Sequence, residues 1–324
     1  MNERFASQLL SGRPARGPVE VVDRLLAVQA QDPRGARLAI RARTSGLTAN
    51  DVDRALTDER SLVIGWLNRG TLHLVRAEDY RWLHALTTPQ LLVGVSRRLA
   101  QEGVTPSAAE RGVKIVARAL GDGPQTRFQL RDRLRAANVV TEGQALVHIL
   151  ALASIRGIAV RGPMIGKQHA FVLVDDWLPP EGRRDRSDAL RELGRRYLRG
   201  HAPADDRDLA KWAGITLREA RAALDGVPAP RRRSAGLPPP KLLGSFDPLL
   251  HGWASREPVT GAHEQAIVTG GLFRPFVLVG GQAAGVWRLR DGQPELTPLR
   301  QLTAAEQAAL DSEAADVVRF LSAV

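Results

Sequence analysis

The feature that most constrains the fold is an order of elements, two helices and then a strand-rich ribbon, that returns along the chain. In its first occurrence, apolar residues at helical spacing follow Pro18, and a second helix is predicted from the N-cap residue Thr48. Residues 61–75 are then rich in strand-forming side chains and are broken at residues 68–70. Two helices followed by such a ribbon are typical of a winged helix-turn-helix.

The same order recurs later in the chain. Residues 126–138 and 141–156 predict two helices, and 157–177 carries two apolar runs around a Gly/Pro turn, the pattern of a β-hairpin. A third pair of helices is predicted from Asp205, with Thr216 as the N-cap of its second member. The chain is therefore predicted to be an α+β protein built from tandem winged helix-turn-helix motifs, three in all.

The last part of the chain is predicted to be rich in strands. Residues 227–240 hold five prolines and three consecutive arginines, which indicates an exposed basic connector. Strand-like runs within 276–290 flank a Gly-rich segment whose spacing predicts a hairpin turn and not a nucleotide loop, and a helix is predicted from about Ala304. The predicted regions are 1–120 with the first winged helix, 121–200 with the second winged helix and its hairpin, and 201–324 with the third winged helix and a β-rich C-terminal part.

Composition limits the chemistry that is available. Lys and Arg number 46 against 35 Asp and Glu, a formal net charge of +11. This excess favours a polyanionic partner, although a genome that prefers arginine codons would give the same balance. The absence of cysteine excludes disulfides, zinc ribbons, iron–sulfur clusters and thiol nucleophiles. Residues 1–17 lack the apolar core of a signal peptide, and no run approaches the ~20 apolar residues of a membrane span, so we expect a soluble, cytoplasmic protein.

The tandem winged-helix pattern first raises the question of whether the protein is a regulator that recognises a DNA sequence. Its recognition helix would present polar side chains to base edges, whereas the predicted helix at 141–156 is largely apolar. The pattern favours helices that serve as scaffold, without excluding a regulator.

Two glutamines stand where the first helix approaches Pro33. In a regular helix Gln29 and Gln31 would point about 200° apart, but Pro33 disfavours the helical conformation at Asp32, so the helix should end at or before Gln31. Extended backbone there would place both amides on one side, where they could hold a water or a sugar oxygen but not transfer a proton. Alternatively, the glutamines cap the helix end or lie in solvent.

A row of polar side chains follows in the first ribbon. Strand alternation places Arg69, Thr71 and His73 on one face of an otherwise apolar segment. A single His73 is more often a buried, hydrogen-bonded histidine than a catalytic one, but the row of three favours a polar wall with a binding role.

Four motifs in this order resemble the AlkZ/YcaQ family of winged-helix DNA glycosylases. They are Q-A-Q-D-P at 29–33, R-G-T-L-H-L-V at 69–75, R-G-P-M-I-G-K-Q-H at 161–169 and F-D-P-L-L at 246–250. The resemblance extends from the first helix to G-V-W-R at 285–288. It implies three winged helices around a concave, basic DNA-binding surface, and removal of bulky or crosslinked purines alkylated at guanine N7, with self-resistance to a DNA-alkylating natural product as one setting.

The resemblance also implies site residues and partners. The catalytic Q-x-Q motif of the AlkZ branch falls on Gln29 and Gln31, whereas Asp32 is one position late for the Q-x-D of the other branch and is not assigned catalysis. The partner would be double-stranded DNA with an alkylated purine. The protein would be a monomer associated with the nucleoid, would not bind a membrane, and would need no cofactor or metal. The candidate DNA- and lesion-binding residues are Arg69, Thr71 and His73 in the ribbon and Arg161, Lys167, Gln168 and His169 in a lesion-probing hairpin.

The chemistry gives amides a sensible role. An N7-alkylguanine is positively charged and leaves without protonation, so the enzyme must stabilise a sugar with oxocarbenium character and present a water to C1′. Fixed amide dipoles suit both tasks, whereas an ordinary glycosidic bond normally needs paired carboxylates. Three alternatives remain, namely a non-catalytic winged-helix regulator, a protein that sequesters an alkylating drug, and a lyase that uses the amine of Lys167.

Overall fold

Most helices begin where the sequence supplies a cap or a proline. Thr126 with Gln129, and Thr216 with Glu219, form reciprocal capping boxes, and Gly214 ends the preceding helix in the left-handed conformation. The structure, a computed structural model, describes residues 1–180, 182, 184–228, 230 and 236–322. Its helices are α1 Asn2–Ser7, α2 Pro18–Leu25, α3 Pro33–Arg41, α4 Ala49–Thr57, α5 Ala77–Thr87, α6 Leu91–Gln101, α7 Pro106–Gly121, α8 Arg127–Ala136, α9 Ala145–Ile155, α10 Val174–Trp177, α11 Arg186–His201, α12 Asp206–Ala213, α13 Leu217–Leu224, α14 Glu257–Thr260, α15 Glu264–Ile267 and α16 Ala304–Ser322.

The strands are short, and most of them pair as hairpins. Short 3-10 turns lie at Asn68–Gly70, Pro248–Leu250 and Gly261–His263. The strands are β1 Val28–Gln29, β2 Leu62–Leu67, β3 Thr71–Arg76, β4 Ala159–Ile165, β5 Gln168–Leu173, β6 Lys241–Leu243, β7 Val268–Thr269, β8 Leu272–Phe273, β9 Phe276–Val279, β10 Gln282–Arg290 and β11 Gln293–Pro298.

The chain forms two compact units. Unit 1 consists of Met1–Val52 and Leu190–Val324, and unit 2 of Asp53–Ala189. Unit 1 is therefore assembled from two segments that are distant in sequence. The predicted division into 1–120, 121–200 and 201–324 follows motifs and not contacts, and it stays a prediction.

Unit 2 is built on antiparallel strands in the order β3-β2-β4-β5. β2 and β3 form one hairpin and β4 and β5 another, and Ile64 opposite Arg161 joins them. The apolar helix α9 is buried along nearly its whole length and packs against α6 and α7. It is the core helix of this unit, which agrees with the scaffold role predicted for residues 141–156.

Unit 1 contains an antiparallel sheet in the order β11-β10-β9-β6. Its apolar core combines both segments of the unit, with Phe5 and Leu10 from the first packed among Phe276 and Trp253 from the second. A fully buried ion pair adds to this joint, because Arg43 donates to both carboxylate oxygens of Asp247 at 2.8 and 2.9 Å. Arg41 likewise binds Glu313 and Asp316 of α16.

The mixed α and β composition is confirmed, as are the ribbon at 61–75, the hairpin within 157–177, the helix pair after Asp205 and the C-terminal helix. Two helices differ from expectation, since α2 already ends at Leu25 and α9 begins at Ala145. Helix α3 was not expected. Of the predicted connector at 227–240, residues 229 and 231–235 lie outside the described residues. Among the residues described, no helix is long and apolar enough to cross a membrane.

Candidate functional site

The glutamine pair lies between two helices of unit 1. Helix α2 ends at Leu25, and Leu26 turns the chain with a positive φ of 65°. The short strand β1 then carries Gln29, and Gln31 occupies the bend before α3. The helix ends before Gln31, within the predicted limit, and the backbone is extended at Gln29.

The two amides have different surroundings. Gln29 is 6% exposed, and its Oε1 accepts no hydrogen bond from any described residue. The side chains of its neighbours Val28 and Ala30 are also buried. Gln31 is exposed. A buried acceptor without a partner costs about 1–3 kcal/mol relative to one that is hydrogen-bonded, so Oε1 of Gln29 has an unused capacity to accept a hydrogen bond.

Asp32 fixes the backbone next to Gln31. Its Oδ1 accepts a hydrogen bond from the backbone N–H of Arg34 at 2.9 Å and so caps α3. Its Oδ2 accepts a second bond from the hydroxyl of Ser245, which directly precedes the F-D-P-L-L motif. Gly35 permits this approach, because a Cβ there would come within 2.3 Å of the backbone oxygen of Ser245. The bend is therefore anchored from a distant part of unit 1.

The predicted polar wall lies in the β2–β3 hairpin of unit 2. Arg69 occupies the turn with a positive φ of 57° and is half-buried, as is Thr71, whereas His73 is 3% exposed. Leu72 and Leu74, on the opposite face, are buried too. Thr71 and His73 are in β3, whereas Arg69 lies in the turn before it, so the predicted row of three is not continuous along the strand, and both faces of the strand are covered.

His73 is a neutral ring. Its Nδ1 donates to the backbone oxygen of Thr71 at 3.0 Å, which leaves Nε2 as the acceptor nitrogen. Burial, and then the charge of Arg69, lower the pKa of His73 to about 3. The side chain therefore cannot supply a positive charge to a phosphate at neutral pH.

The β4–β5 hairpin separates its four candidates into two kinds of surroundings. Lys167 and Gln168 are exposed at the turn, and His169 is half-buried in β5. Arg161 lies deeper, with its guanidinium carbon 4.9 Å from the ring centre of Trp66 and 5.0 Å from that of Phe171. Burial and then Arg127 lower the pKa of Arg161 to about 10, so it stays charged at neutral pH.

Sequence reasoning missed two groups near these residues. Asn68 in the β2–β3 turn is 1% exposed, and neither of its amide atoms has a hydrogen-bond partner among the described residues. Its only sequence signal was the break in the strand pattern at 68–70. Ser245 was missed because it meets Asp32 across 213 positions of sequence, and no local pattern predicts such a contact.

One cavity in unit 2 is not formed by the predicted site residues. A cavity of about 320 Å³ in unit 2 is lined by Arg81, Trp82, Leu86, Arg184 and Ala189 among others, and by none of the predicted site residues. Within the described ranges, no group of three or more His, Asp or Glu side chains could hold a metal ion.

Comparison with known proteins gives consistent matches. The family model described as "DNA glycosylase AlkZ-like" matches residues 22–320. An "Interstrand DNA cross-link repair glycosylase" from Streptomyces sahachiroi is 28% identical and aligns with 98% of this chain and 94% of its own length. The solved structure of the Streptomyces sahachiroi DNA glycosylase AlkZ superposes with a TM-score of 0.75 at 24% identity, covering 98% of this chain and 95% of that one.

Proposed function

The chain belongs to the AlkZ-like family of DNA glycosylases, hydrolases of N-glycosyl bonds, and on that premise we propose that it releases bulky or crosslinked N7-alkylated purines from double-stranded DNA. The name of its relative from Streptomyces sahachiroi, an interstrand cross-link repair glycosylase, supports crosslinked bases as the substrate class. Three winged helices around a concave, basic surface, action as a monomer in association with the nucleoid, and a role in self-resistance to an alkylating natural product belong to the same proposal.

The observation that carries the proposal is the buried, unpartnered Oε1 of Gln29, two residues from the exposed amide of Gln31. A general acid is not needed for an N7-alkylguanine, because the positively charged base leaves as a neutral molecule. What the reaction needs is an acceptor that orients water and a dipole that stabilises positive charge on the sugar. An amide supplies both without a change of protonation state.

In the proposed reaction the bond from C1′ to N9 breaks, and its electron pair leaves with the base. The sugar gains oxocarbenium character, which the carbonyl dipoles of Gln29 and Gln31 stabilise. A water held by the amides adds its oxygen to C1′ and releases a proton to solvent, leaving an abasic site. Water positioning and stabilisation of the sugar are assigned jointly to Gln29 and Gln31.

The candidates in unit 2 are proposed to hold the DNA. Lys167 and Gln168 are exposed at the tip of their hairpin and suit a phosphate or a base edge. His73 contributes, in this proposal, through its neutral Nε2 and not through charge. Arg69, Thr71, Arg161 and His169 complete the proposed set.

The test is single-turnover base release from a duplex with one N7-methylguanine, followed by alkaline cleavage at the abasic site. We expect wild type to release the base, and Gln29→Ala and Gln31→Ala each to slow release by about 10²-fold or more, the usual effect of removing one group from a preorganised site. Gln307→Ala is the matched control, because this glutamine lies on the surface of α16 and bonds Asp311.

Equal rates for Gln31→Ala and the control would contradict the assignment of this amide. Binding of undamaged DNA with a sequence preference, and no release from this or a bulkier N7 adduct, would instead favour a regulatory protein.

A further inference from the structure

Two exposed apolar residues lie next to each other at the start of helix α6 in unit 2. Val93 is 80% exposed and Leu92 is 38% exposed, although both occupy the first turn of a helix whose later residues Val95 and Leu99 are buried. Large apolar side chains presented together to water are unfavourable and commonly mark a binding surface. Leu92 and Val93 form what we call the apolar knob.

The knob is held rigidly. The corner between α5 and α6 is closed by hydrogen bonds from the Thr88 hydroxyl to the backbone oxygen of His84 at 2.8 Å and from the Gln90 amide to that of Thr87 at 2.9 Å. The other face of α6 packs against the buried helix α9. Because the corner and the helix are both fixed, the knob presents its side chains with little further ordering required on binding.

The position of the apolar knob and the charged residues beside it indicate which partner it binds. Leu91, the residue just before it, packs on the β2–β3 turn, where a Cβ added to Gly70 would lie 3.5 Å from its Cδ2. That turn carries Arg69, one of the proposed DNA-binding residues. One helical turn beyond the knob, Arg97 lies on the same face as Val93 and Arg98 follows it. Both arginines are exposed.

We propose that the apolar knob is a wedge that enters the base stack of double-stranded DNA beside the lesion, while Arg97 and Arg98 contact the adjacent phosphates. The inference rests on the proposed function for its partner, duplex DNA. Apolar side chains that insert between base steps unstack them and kink the duplex. A bulky adduct beside an unstacked step becomes accessible to the enzyme, so that it does not have to be flipped into a closed base pocket. Cationic side chains one turn away suit the phosphates that flank such a step.

The test compares wild type with the double variant Leu92→Ser/Val93→Ser on a duplex that has 2-aminopurine next to an N7-methylguanine. We expect wild type to raise the 2-aminopurine fluorescence on binding and the double variant not to. We also expect the double variant to release the base from the duplex roughly tenfold to hundredfold more slowly, the range that corresponds to burying a Val or Leu side chain. Release from the same lesion in a single strand, where no stack has to be opened, should equal that of wild type.

Val140→Ser is the matched control, since it changes another exposed valine of unit 2, 40% exposed, outside the knob. A double variant that still raises fluorescence and releases the base from the duplex at the wild-type rate would overturn the wedge and leave the glycosylase proposal intact. Equal slowing on duplex and single strand would also overturn it, because the site itself would then be damaged. If wild type released no base at all, the fluorescence comparison would still decide whether the knob opens the stack.

Discussion

At the scale of single residues, the bend that carries Gln31 is set by a carboxylate held from two directions. One oxygen of Asp32 caps α3, and the other accepts from Ser245, which is 7% exposed. Because a preorganised site depends on small displacements of its dipoles, the hydroxyl of Ser245 is expected to position Gln31 without touching the substrate.

Ser245→Ala tests this positioning role. The variant should lose about 1 kcal/mol of unfolding free energy with its hydrogen bond, and its rate of base release at saturating enzyme should fall about tenfold, a loss that corresponds to about 1.4 kcal/mol of the barrier. The affinity for lesion-bearing DNA should change little. Ser245→Thr, which keeps the hydroxyl, should recover most of the rate.

Ser312→Ala is the control for Ser245→Ala, because the hydroxyl of Ser312 donates to a backbone oxygen within α16 and has no link to the bend. If Ser245→Ala released the base as fast as this control, the positioning role would be wrong even with a measurable loss of stability.

Two buried histidines, one in each unit, make stability depend on pH. Burial lowers the pKa of His73 and of His201 to about 3, below the ~6.5 of an unfolded histidine. Between these values the unfolded chain binds more protons than the folded one, so this contribution is fully present above about pH 6.5 and is lost as the pH falls. We expect each histidine to lower the unfolding free energy by about 1 kcal/mol between pH 7.5 and 5.5.

Urea unfolding at the two pH values measures this loss. His201→Asn keeps a donor near the position of Nδ1, which bonds the backbone oxygen of Tyr197, and removes the titrating ring. The variant will be less stable at both pH values because it loses the stacking on Tyr197, but its decline on acidification should be smaller than that of wild type by the share of one histidine. An unchanged decline would contradict a neutral, buried His201.

At the scale of elements, local sequence signals correctly predicted the helix ends that are set by residues close in sequence. The capping residues Thr126 and Thr216 and the left-handed Gly214 marked helix ends correctly, since each acts within a few residues of itself. Helix α3 was missed although Asp32 and Pro33 are a strong start signal, because Pro33 was interpreted only as the residue that ends the preceding helix.

The candidate site was predictable to a similar extent. The sequence located the change from helix to extended backbone near the glutamines, because Pro33 restricts the residue before it. It did not predict that Gln29 would be buried and Gln31 exposed, nor that His73 would be covered on both sides. Burial depends on which elements pack over a strand, and these come from distant sequence.

At the scale of the whole molecule, the decisive contacts are between segments that sequence order separates. Arg43 and Asp247 form a buried ion pair across 204 positions, and Arg41 reaches α16 across 272 and 275 positions. Neither end of such a pair has a pattern that identifies its partner. The formal charge of +11, in contrast, is a property of composition and could be read directly.

A net charge of this size predicts that the affinity for DNA depends on salt concentration. If the excess arginines neutralise phosphates, log K for undamaged duplex should fall linearly with log salt, and contact with about four phosphates would weaken binding about 10²-fold between 50 and 200 mM. The rate of base release at saturating enzyme should change little, because the DNA is then bound at every salt concentration and the salt-dependent affinity no longer limits the rate. Fluorescence anisotropy across a salt series measures the slope.

Replacing Arg97 and Arg98 together by alanine should reduce the magnitude of that slope by the amount expected for the loss of up to about two phosphate contacts, since both side chains are exposed. Arg54→Ala provides the comparison, because Arg54 is an exposed arginine of the same unit that is paired with Glu59. A slope that is shallow in wild type would show that the positive charge does not serve a polyanion. A steep slope that the double variant leaves unchanged would place the phosphate contacts elsewhere and remove the electrostatic support for the wedge.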